Sequence, residues 1–139
     1  MLNLRAHHLI CISRFSGTAW YNDECKGNAW RIFDEIQKNP NQIVNIKNSC
    51  DDFCEKCPHI KEGICDKPSK YKISHWVRVM DNKTLRLIKI KPDTTHKISE
   101  LIDKAIEKIK DEELKTICKG CEFLPICLEF GINKSFKEI

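Results

Sequence analysis

Helical spacing of apolar residues marks two segments in the first third of the chain. In residues 23–38 apolar side chains recur every three or four positions, and Asn39-Pro40 supplies a stop, which predicts a helix. In residues 4–15 the same spacing includes two histidines and a cysteine. This segment is predicted to be a short helix with one face that is both apolar and able to bind a metal, with a strand as the alternative. Residues 42–47 alternate weakly and predict a short strand.

The second half of the chain carries further helical patterns. Residues 77–90 fit a helix, although residues 83–90 taken alone alternate as a strand would. An apolar stripe over residues 98–109 predicts an amphipathic helix, capped by threonine 94 or 95 and prolonged after a kink by apolar residues 114 and 117. Residues 128–136 are expected to pack as a terminal turn or helix. These elements predict a mainly α fold, or a small α+β fold, in a single compact domain that covers residues 1–139.

Composition is compatible with this single domain. The 139 residues are 41% hydrophobic and 32% charged, as in ordinary globular proteins, and this length is enough for one core. The first residues lack the long apolar region of a secretory signal, and no segment approaches the roughly 20 apolar residues of a membrane span. We therefore expect a cytoplasmic protein without a membrane segment.

The net charge of +4 does not indicate a nucleic-acid surface. Only five of the 24 basic residues are arginines, and the lysines alternate with acids instead of forming a basic block. Such a pattern is typical of a solvated helix face, so nucleic-acid binding is disfavoured. The tryptophans are expected to fill the core instead of stacking on bases, and they are Trp20, Trp30 and Trp76.

Seven of the nine cysteines fall in two short windows. Each window contains a CxxC pair, Cys54/Cys57 or Cys118/Cys121, in which a tight turn aims two sulfurs at one soft or borderline metal. In a reducing compartment this pattern favours metal or redox chemistry over disulfides. Glycine and proline interrupt both windows, so we expect cysteine-rich loops held together by a metal cluster. The windows consist of Cys50, Cys54, Cys57 and Cys65, and of Cys118, Cys121 and Cys127.

Pair spacing alone does not separate a zinc ribbon from an iron–sulfur cluster. Three further features favour iron and sulfur. Cys57 is followed by a proline, and a Cys-Pro dipeptide is also found in the cluster-binding cysteine motifs of bacterial ferredoxins. Each window also has a later cysteine, Cys65 or Cys127. These would not be ligands in a zinc site formed by the four thiolates of the two CxxC pairs. The CxxCx5C spacing of the second window is similar to that of the triplet that, with one remote cysteine, holds a 4Fe–4S cluster in some nucleases.

The amino-terminal histidines are further candidate ligands. His7 and His8 precede Cys11 by four and three residues, so on a helix all three would lean to one side. Cys11, with or without one of these histidines, would then be an outlying ligand of the metal site. The alternative is a partly buried histidine pair at the edge of the core. His59 follows Pro58 and would either donate a hydrogen bond to a cluster sulfur or lie solvated in its loop.

Other chemistries have less support. Cys50, Cys54 and Cys57 have the CxxxCxxC spacing of radical S-adenosylmethionine enzymes, but the chain is too short for the barrel that carries this motif. A nucleophilic Cys57 with His59 as its base is disfavoured, because catalytic partners usually meet through the fold. We find no glycine-rich phosphate loop, no GxSxG elbow, no HExxH motif and no carboxylate pair that stands out from the general charge.

Three segments together resemble the bacterial and archaeal family called domain of unknown function 1284. They are LRAHHLIC at residues 4–11, CEKCPHIKEGIC at 54–65 and ICKGCEFLPIC at 117–127. The resemblance implies a small protein that binds an iron–sulfur cluster, with no established reaction or partner. Cys25 and Cys50 lie outside the pattern. The positions that match it are His7, His8, Cys11, Cys54, Cys57, Cys65, Cys118, Cys121 and Cys127.

The expected function is therefore the binding of an iron–sulfur cluster, 4Fe–4S in type, for electron transfer to a redox partner protein or for redox sensing. One alternative is a structural zinc module that binds a macromolecular partner. Another is an enzyme that binds its substrate at an open iron of the cluster. The oligomeric state is left open. Four ligands are expected from among Cys54, Cys57, Cys65, Cys118, Cys121 and Cys127, with Cys11 and His8 as outlying contributors.

Overall fold

The computed structural model describes residues 1–14, 22–58, 60–61, 64–65 and 76–131. Within these residues the helices share one apolar core with a small sheet, and a two-stranded antiparallel pair lies in the first cysteine window. The strands are β1 (Asn3–Arg5), β2 (Ile43–Lys47), β3 (Ile60–Lys61), β4 (Ile64–Cys65) and β5 (Thr94–Lys97). The α-helices are α1 (His8–Ser13), α2 (Asp23–Lys38), α3 (Trp76–Ile88), α4 (Ile98–Lys108), α5 (Asp111–Ile117) and α6 (Leu124–Phe130), and a 3₁₀ helix covers Asp52–Lys56.

The sheet has the strand order β1-β2-β5, with β1 parallel and β5 antiparallel to the central strand β2. Leu4 on β1 lies opposite Ile46 on β2, and both side chains are fully buried. On β2, Ile43 points to the opposite face from Ile46 and is 44% exposed. The face that carries Leu4 and Ile46 is therefore the apolar, packed face of the sheet. The helices cover that face, with α1 packed on α4 and with α3 packed on α4 and α5.

The mainly α prediction is confirmed, and so are several of its elements. The helix predicted over residues 23–38 begins and ends at those residues, with Asn22 accepting a hydrogen bond from the Cys25 backbone N–H at its start. The strand predicted at residues 42–47 is β2, and the ambiguous segment 77–90 is the helix α3. The cysteine-rich segment is only partly a loop, since it contains the 3₁₀ helix and the β3–β4 hairpin. Its attachment by a metal cluster stays a prediction.

Two predicted element boundaries are wrong because sheet pairing overrides local pattern. The helix predicted over residues 4–15 begins only at His8, since residues 3–5 pair with β2. Thr94 and Thr95 were expected to cap a helix, but they lie in β5, and the first turn of α4 has no side-chain cap. Threonine is β-branched and suits a paired strand. The apolar stripe over 98–109 is otherwise confirmed as α4.

The last helices and the tryptophans refine the prediction further. The segment after the expected kink is the separate helix α5. Pro125 was expected to interrupt helical structure, but it lies in the first turn of α6, where proline is tolerated.

Trp76 is buried as predicted, whereas Trp30 is 48% exposed on α2, so the core assignment was wrong for Trp30. Trp20, His59 and residues 132–136 lie outside the described residues. In the part of the chain that the structure describes, no helix has the length and apolarity needed to cross a membrane.

Candidate metal centre

The amino-terminal segment carries two adjacent histidines onto two buried aspartates. The His7 ring nitrogen Nδ1 lies 2.7 Å from Asp81 Oδ1, and His8 Nδ1 lies 2.7 Å from Asp51 Oδ2. Both carboxylates are fully buried, and the two imidazole rings lie 4.5 Å apart between centroids. A carboxylate that accepts from Nδ1 leaves Nε2 as the nitrogen with a free lone pair in the neutral ring, an arrangement common among metal-binding histidines.

Asp81 on α3 is the centre of the first half of this network. Its Oδ2 atom accepts from the Arg5 guanidinium, at 2.9 Å from Nε and 2.8 Å from Nη2. Its Oδ1 atom accepts from the backbone N–H of His7 at 3.0 Å, in addition to the ring. Burial raises the pKa of Asp81, but the hydrogen bonds from His7 and the charge and hydrogen bonds of Arg5 outweigh it and hold that pKa below its usual value. The carboxylate therefore compensates the buried charge of Arg5.

His7 remains neutral in this environment. Its side chain is only 10% exposed, and burial lowers its pKa to about 4, although the charge of Asp81 acts in the opposite direction. Burial alone would also lower the pKa of Arg5, but Asp81 and the nearby Cys54 raise it overall, so the guanidinium stays charged. The pair Arg5–Asp81 thus brings one positive and one negative charge into the core, with His7 uncharged beside it.

Asp51 is the centre of the second half and lies between β2 and the 3₁₀ helix. Its Oδ2 atom accepts from the Arg5 backbone N–H at 2.7 Å and faces His8. Its Oδ1 atom accepts from the Cys54 backbone N–H and from the Cys54 thiol, each at 3.2 Å. Asp52 accepts from the Asn3 backbone N–H at 3.0 Å, so the two aspartates together cover the outer edge of β1. Asp51 also begins the 3₁₀ helix as its N-cap.

The side chains of His8, Asp51 and Cys54 form a compact group that we call the mixed-donor site. One ligand atom from each residue lies within 4.8 Å of the others, and the Arg5 guanidinium lies 3.9 Å from the Cys54 sulfur. Burial and then the charge of Asp51 raise the pKa of the Cys54 thiol well above its usual range, while Arg5 acts against them. Burial raises the pKa of Asp51, but His8 and hydrogen bonds from its neighbours lower it below its usual value. Nitrogen, oxygen and sulfur donors are thus close together.

The second cysteine window is built differently. Cys118, Cys121 and Cys127, which we call the C-terminal triplet, follow α5 through a tight turn into α6. The backbone N–H of Cys121 donates to the carbonyl of Cys118 at 2.8 Å, and Gly120 has a φ of 91°, a conformation that glycine adopts without strain. Burial and then the charge of Cys121 raise the pKa of the Cys127 thiol, while Arg14 lowers it.

Arg14 fixes the triplet to the amino-terminal part of the fold. Its guanidinium is 3% exposed, donates to the carbonyl of Cys127 at 3.1 Å and forms an ion pair with Asp111 at 2.9 Å. It directly follows α1, the helix that begins at His8 and contains Cys11. The two cysteine windows thus contact the two ends of α1. Cys11 is half-buried and lies between them.

The other predicted ligands have definite positions. Cys57 is half-buried at the end of the 3₁₀ helix, where its N–H donates to the carbonyl of Cys54. Cys65 lies in β4, paired with Ile60, and its side chain is outside the described part of the structure. Cys50 is half-buried next to Asp51 and Cys25 is buried in α2.

Sequence reasoning missed Arg5, Asp51 and Asp81. Asp81 could have been found, because it falls on the apolar stripe of α3 between Val77 and Leu85, where an uncompensated acid would be costly. Asp51 has the signature of an N-cap before an irregular segment. The two aspartates do not form a carboxylate pair: they are 30 residues apart in the sequence, and each meets its own histidine only through the fold.

Comparison with protein families supports the resemblance drawn from the motifs. The model of the family described as "Protein of unknown function (DUF1284)" matches residues 20–127. The chain belongs to the DUF1284 family. The matched range includes the two cysteine windows and leaves out residues 1–19, so in this DUF1284 protein His7, His8 and Cys11 lie outside it. No curated protein and no solved structure matches the chain significantly.

Proposed function

We propose that this DUF1284 protein binds a 4Fe–4S cluster and uses it to transfer electrons to a partner protein or to sense redox state. The C-terminal triplet supplies three of the thiolate ligands. The observation that carries the proposal is the placement of these cysteines along one tight turn and one short helix, where the backbone N–H of Cys121 donates to the carbonyl of Cys118. Thiolate ligands suit soft metals and iron–sulfur clusters.

The surroundings of the triplet fit such a group. Cys118 is buried and Cys121 and Cys127 are half-buried, so a bound cluster would be shielded from water on one side. The buried guanidinium of Arg14 would partly balance the negative charge of a thiolate-bound cluster, which is one of the factors that set its reduction potential. When bound, the cluster supplies one-electron redox chemistry. The protein would work in the cytoplasm, where thiols are kept reduced.

A fourth thiolate completes the set, and Cys11 is our first choice. It lies on α1 one turn before Arg14, the residue that contacts Cys127. Cys57 and Cys65 in the middle window are the other candidates, as the sequence predicted. Cys54 is less suited, because its sulfur lies in the mixed-donor site with His8 and Asp51.

Anaerobic purification tests the proposal. We expect brown protein that contains iron and acid-labile sulfide in a ratio near one, with an absorption band that is bleached by dithionite. Cys121→Ala is expected to lose most of the iron and sulfide, because it removes one of the ligands. The matched control is Cys25→Ala, which changes a buried cysteine outside the motifs and should retain both.

Two outcomes would contradict the proposal. Colourless protein with stoichiometric zinc and no sulfide would replace it with a structural zinc module. Retention of full iron and sulfide in Cys121→Ala, with an unchanged spectrum, would remove the triplet from the ligand set. Serial replacement of Cys11, Cys57 and Cys65 by alanine then identifies the fourth ligand as the one whose loss lowers the iron content.

A further inference from the structure

The geometry points to a second, mononuclear metal site formed by His8, Asp51 and Cys54, which takes a divalent ion of borderline softness such as Zn²⁺. No family motif singles out this combination, and Asp51 comes from the structure alone. The site does not depend on the proposed iron–sulfur cluster, because none of its three residues belongs to the C-terminal triplet. Each of the two sites can therefore be tested while the other is monitored.

The donor atoms of the mixed-donor site are close enough together to enclose an ion after small adjustments. Zinc bonds of about 2.0 Å to nitrogen or oxygen and about 2.3 Å to sulfur, at tetrahedral angles, place ligand atoms roughly 3.3–3.5 Å apart. In the mixed-donor site His8 Nδ1 lies 2.7 Å from Asp51 Oδ2, and the Cys54 sulfur lies 3.2 Å from the other carboxylate oxygen, Oδ1. All three ligand atoms lie within 4.8 Å of one another. Small side-chain rotations would be enough to close the group around an ion.

The donor types select the class of ion. Calcium and magnesium prefer oxygen ligands alone, whereas a set with one imidazole, one carboxylate and one thiolate suits zinc, cobalt or ferrous iron. Three protein ligands leave a fourth tetrahedral position, which a water molecule occupies in catalytic zinc sites and a further cysteine in structural ones. Cys57 follows Cys54 by one CxxC step and is the residue that would fill this position in a closed site.

The balance of charge also favours a divalent ion. An ion of charge +2 is compensated by one carboxylate, Asp51, and by one thiolate, Cys54. The second buried acid, Asp81, is already compensated by Arg5 at 2.8 Å. The sum over this buried network is then zero, which lowers the cost of removing these charges from water.

Ion binding exchanges protons in a defined way. In the ion-free protein the Cys54 thiol donates its hydrogen to Asp51 Oδ1 at 3.2 Å. The ion takes the place of that hydrogen, the sulfur binds as a thiolate, and one proton passes to solvent. If His8 binds through Nδ1, the hydrogen that this nitrogen shares with Asp51 leaves it as well, either for Nε2 or for solvent. Ion binding therefore releases at least the thiol proton and weakens as the pH falls.

Residues around the site would hold its ligands in position. The ring of His8 packs edge-on against Phe53, with centroids 5.1 Å apart, and tilts against His7. The backbone N–H of Arg5 donates to Asp51 at 2.7 Å, while the side chain of Arg5 reaches the Cys54 sulfur. Ligands oriented in this way lose less conformational freedom when an ion binds.

The test is titration of the full-length protein with Co²⁺ after removal of loosely bound metal by a chelator, with iron and sulfide measured before and after. We expect one Co²⁺ per chain, a sulfur-to-cobalt charge-transfer band and d–d bands of tetrahedral intensity. His8→Gln should weaken Co²⁺ and Zn²⁺ binding at least tenfold, the effect expected from the loss of one ligand. Cys54→Ser should weaken the charge-transfer band, because it removes a thiolate ligand.

Matched controls are His96→Gln and Cys50→Ser, which change a half-buried histidine and a half-buried cysteine outside the site. Both should bind Co²⁺ as the unchanged protein does. Equal Co²⁺ affinity in His8→Gln and the unchanged protein, both folded by circular dichroism, would overturn the site. So would a Cys54→Ser variant that loses iron and sulfide and keeps its Co²⁺ affinity, since Cys54 would then belong to the cluster. Loss of Co²⁺ binding with unchanged iron content would support the site, whatever the ligands of the cluster.

Discussion

Replacement of Asp81 by alanine is expected to lower the free energy of unfolding by about 3–5 kcal/mol, the usual cost of breaking a buried ion pair from one side. The carboxylate is fully buried and accepts from the Arg5 guanidinium and from the backbone and ring of His7. Without it, the charge of Arg5 stays in the core with no counter-charge. The measurement is urea unfolding at pH 7, followed by circular dichroism, on anaerobically purified samples of equal metal content.

Three variants show whether this loss comes from the buried pair. Asp103→Ala removes an exposed aspartate of α4 and should change the free energy of unfolding by less than about 0.5 kcal/mol. Asp81→Asn keeps the shape of the side chain and one acceptor, so its loss should be smaller. In Arg5→Ala/Asp81→Ala the destabilisation should be less than the sum of the two single changes, because the charges are removed together. An Asp81→Ala variant within about 1 kcal/mol of the unchanged protein would contradict the assignment of Asp81 as the counter-charge of Arg5.

The elements that the sequence predicted correctly are those with local causes. The helix α2 has an apolar stripe, a capping asparagine and a following Asn-Pro step, and all of these lie within the helix or next to it. The strand β5 was missed because Thr94 and Thr95 suit both a cap and a strand. The pairing of β5 with β2, more than 40 residues earlier, decides between them. Trp30 is exposed because it lies on the outer face of a helix whose inner face was already filled.

In the candidate site, too, residues with a local sequence signal were predicted, and residues brought together only by the fold were not. Cys54 and His8 were predicted because of their residue types and motifs. Asp51 and Asp81 were not, because aspartate is common in this chain and only the fold distinguishes the buried ones. Asp81 is 76 residues from Arg5, a separation at which local pattern predicts no contact. An acid on an apolar stripe is nevertheless a signal that can be read from sequence, since it requires a buried partner.

Helix α1 connects the features that the sequence treated as separate. His8 at its start contacts Asp51 of the middle window, and Arg14 at its end contacts Cys127 of the C-terminal triplet. Six residues of helix correspond to a rise of about 9 Å. The two proposed metal sites would therefore lie near opposite ends of one short helix, with Cys11 between them. A change in the charge of one site would then change the electrostatic potential at the other.

Acid is expected to destabilise the protein from about pH 6.5 downward, because His7 is buried in its neutral form. The pKa of His7 is lowered to about 4 in the folded state, mainly by burial, whereas in the unfolded chain it is about 6.5. Between these values the unfolded state binds a proton that the folded state does not, so stability falls as the pH falls. From pH 7 to pH 4.5 the expected loss is about 2–3 kcal/mol. Below about pH 4 the loss should steepen, because the pKa values of Asp51 and Asp81 are also lowered by folding.

His7→Asn separates this effect from general acid denaturation. Asparagine can still donate a hydrogen bond to Asp81 but does not titrate, so the free energy of unfolding should become nearly constant between pH 7 and pH 4.5. His96→Asn, which changes a half-buried histidine on β5, should leave the pH dependence unchanged. Urea unfolding at several pH values, with a chelator present so that ion binding at the mixed-donor site does not contribute, measures both. A His7→Asn variant with the same slope as the unchanged protein would show that another group binds the proton, and that the burial of neutral His7 does not cause the loss of stability above pH 4.5.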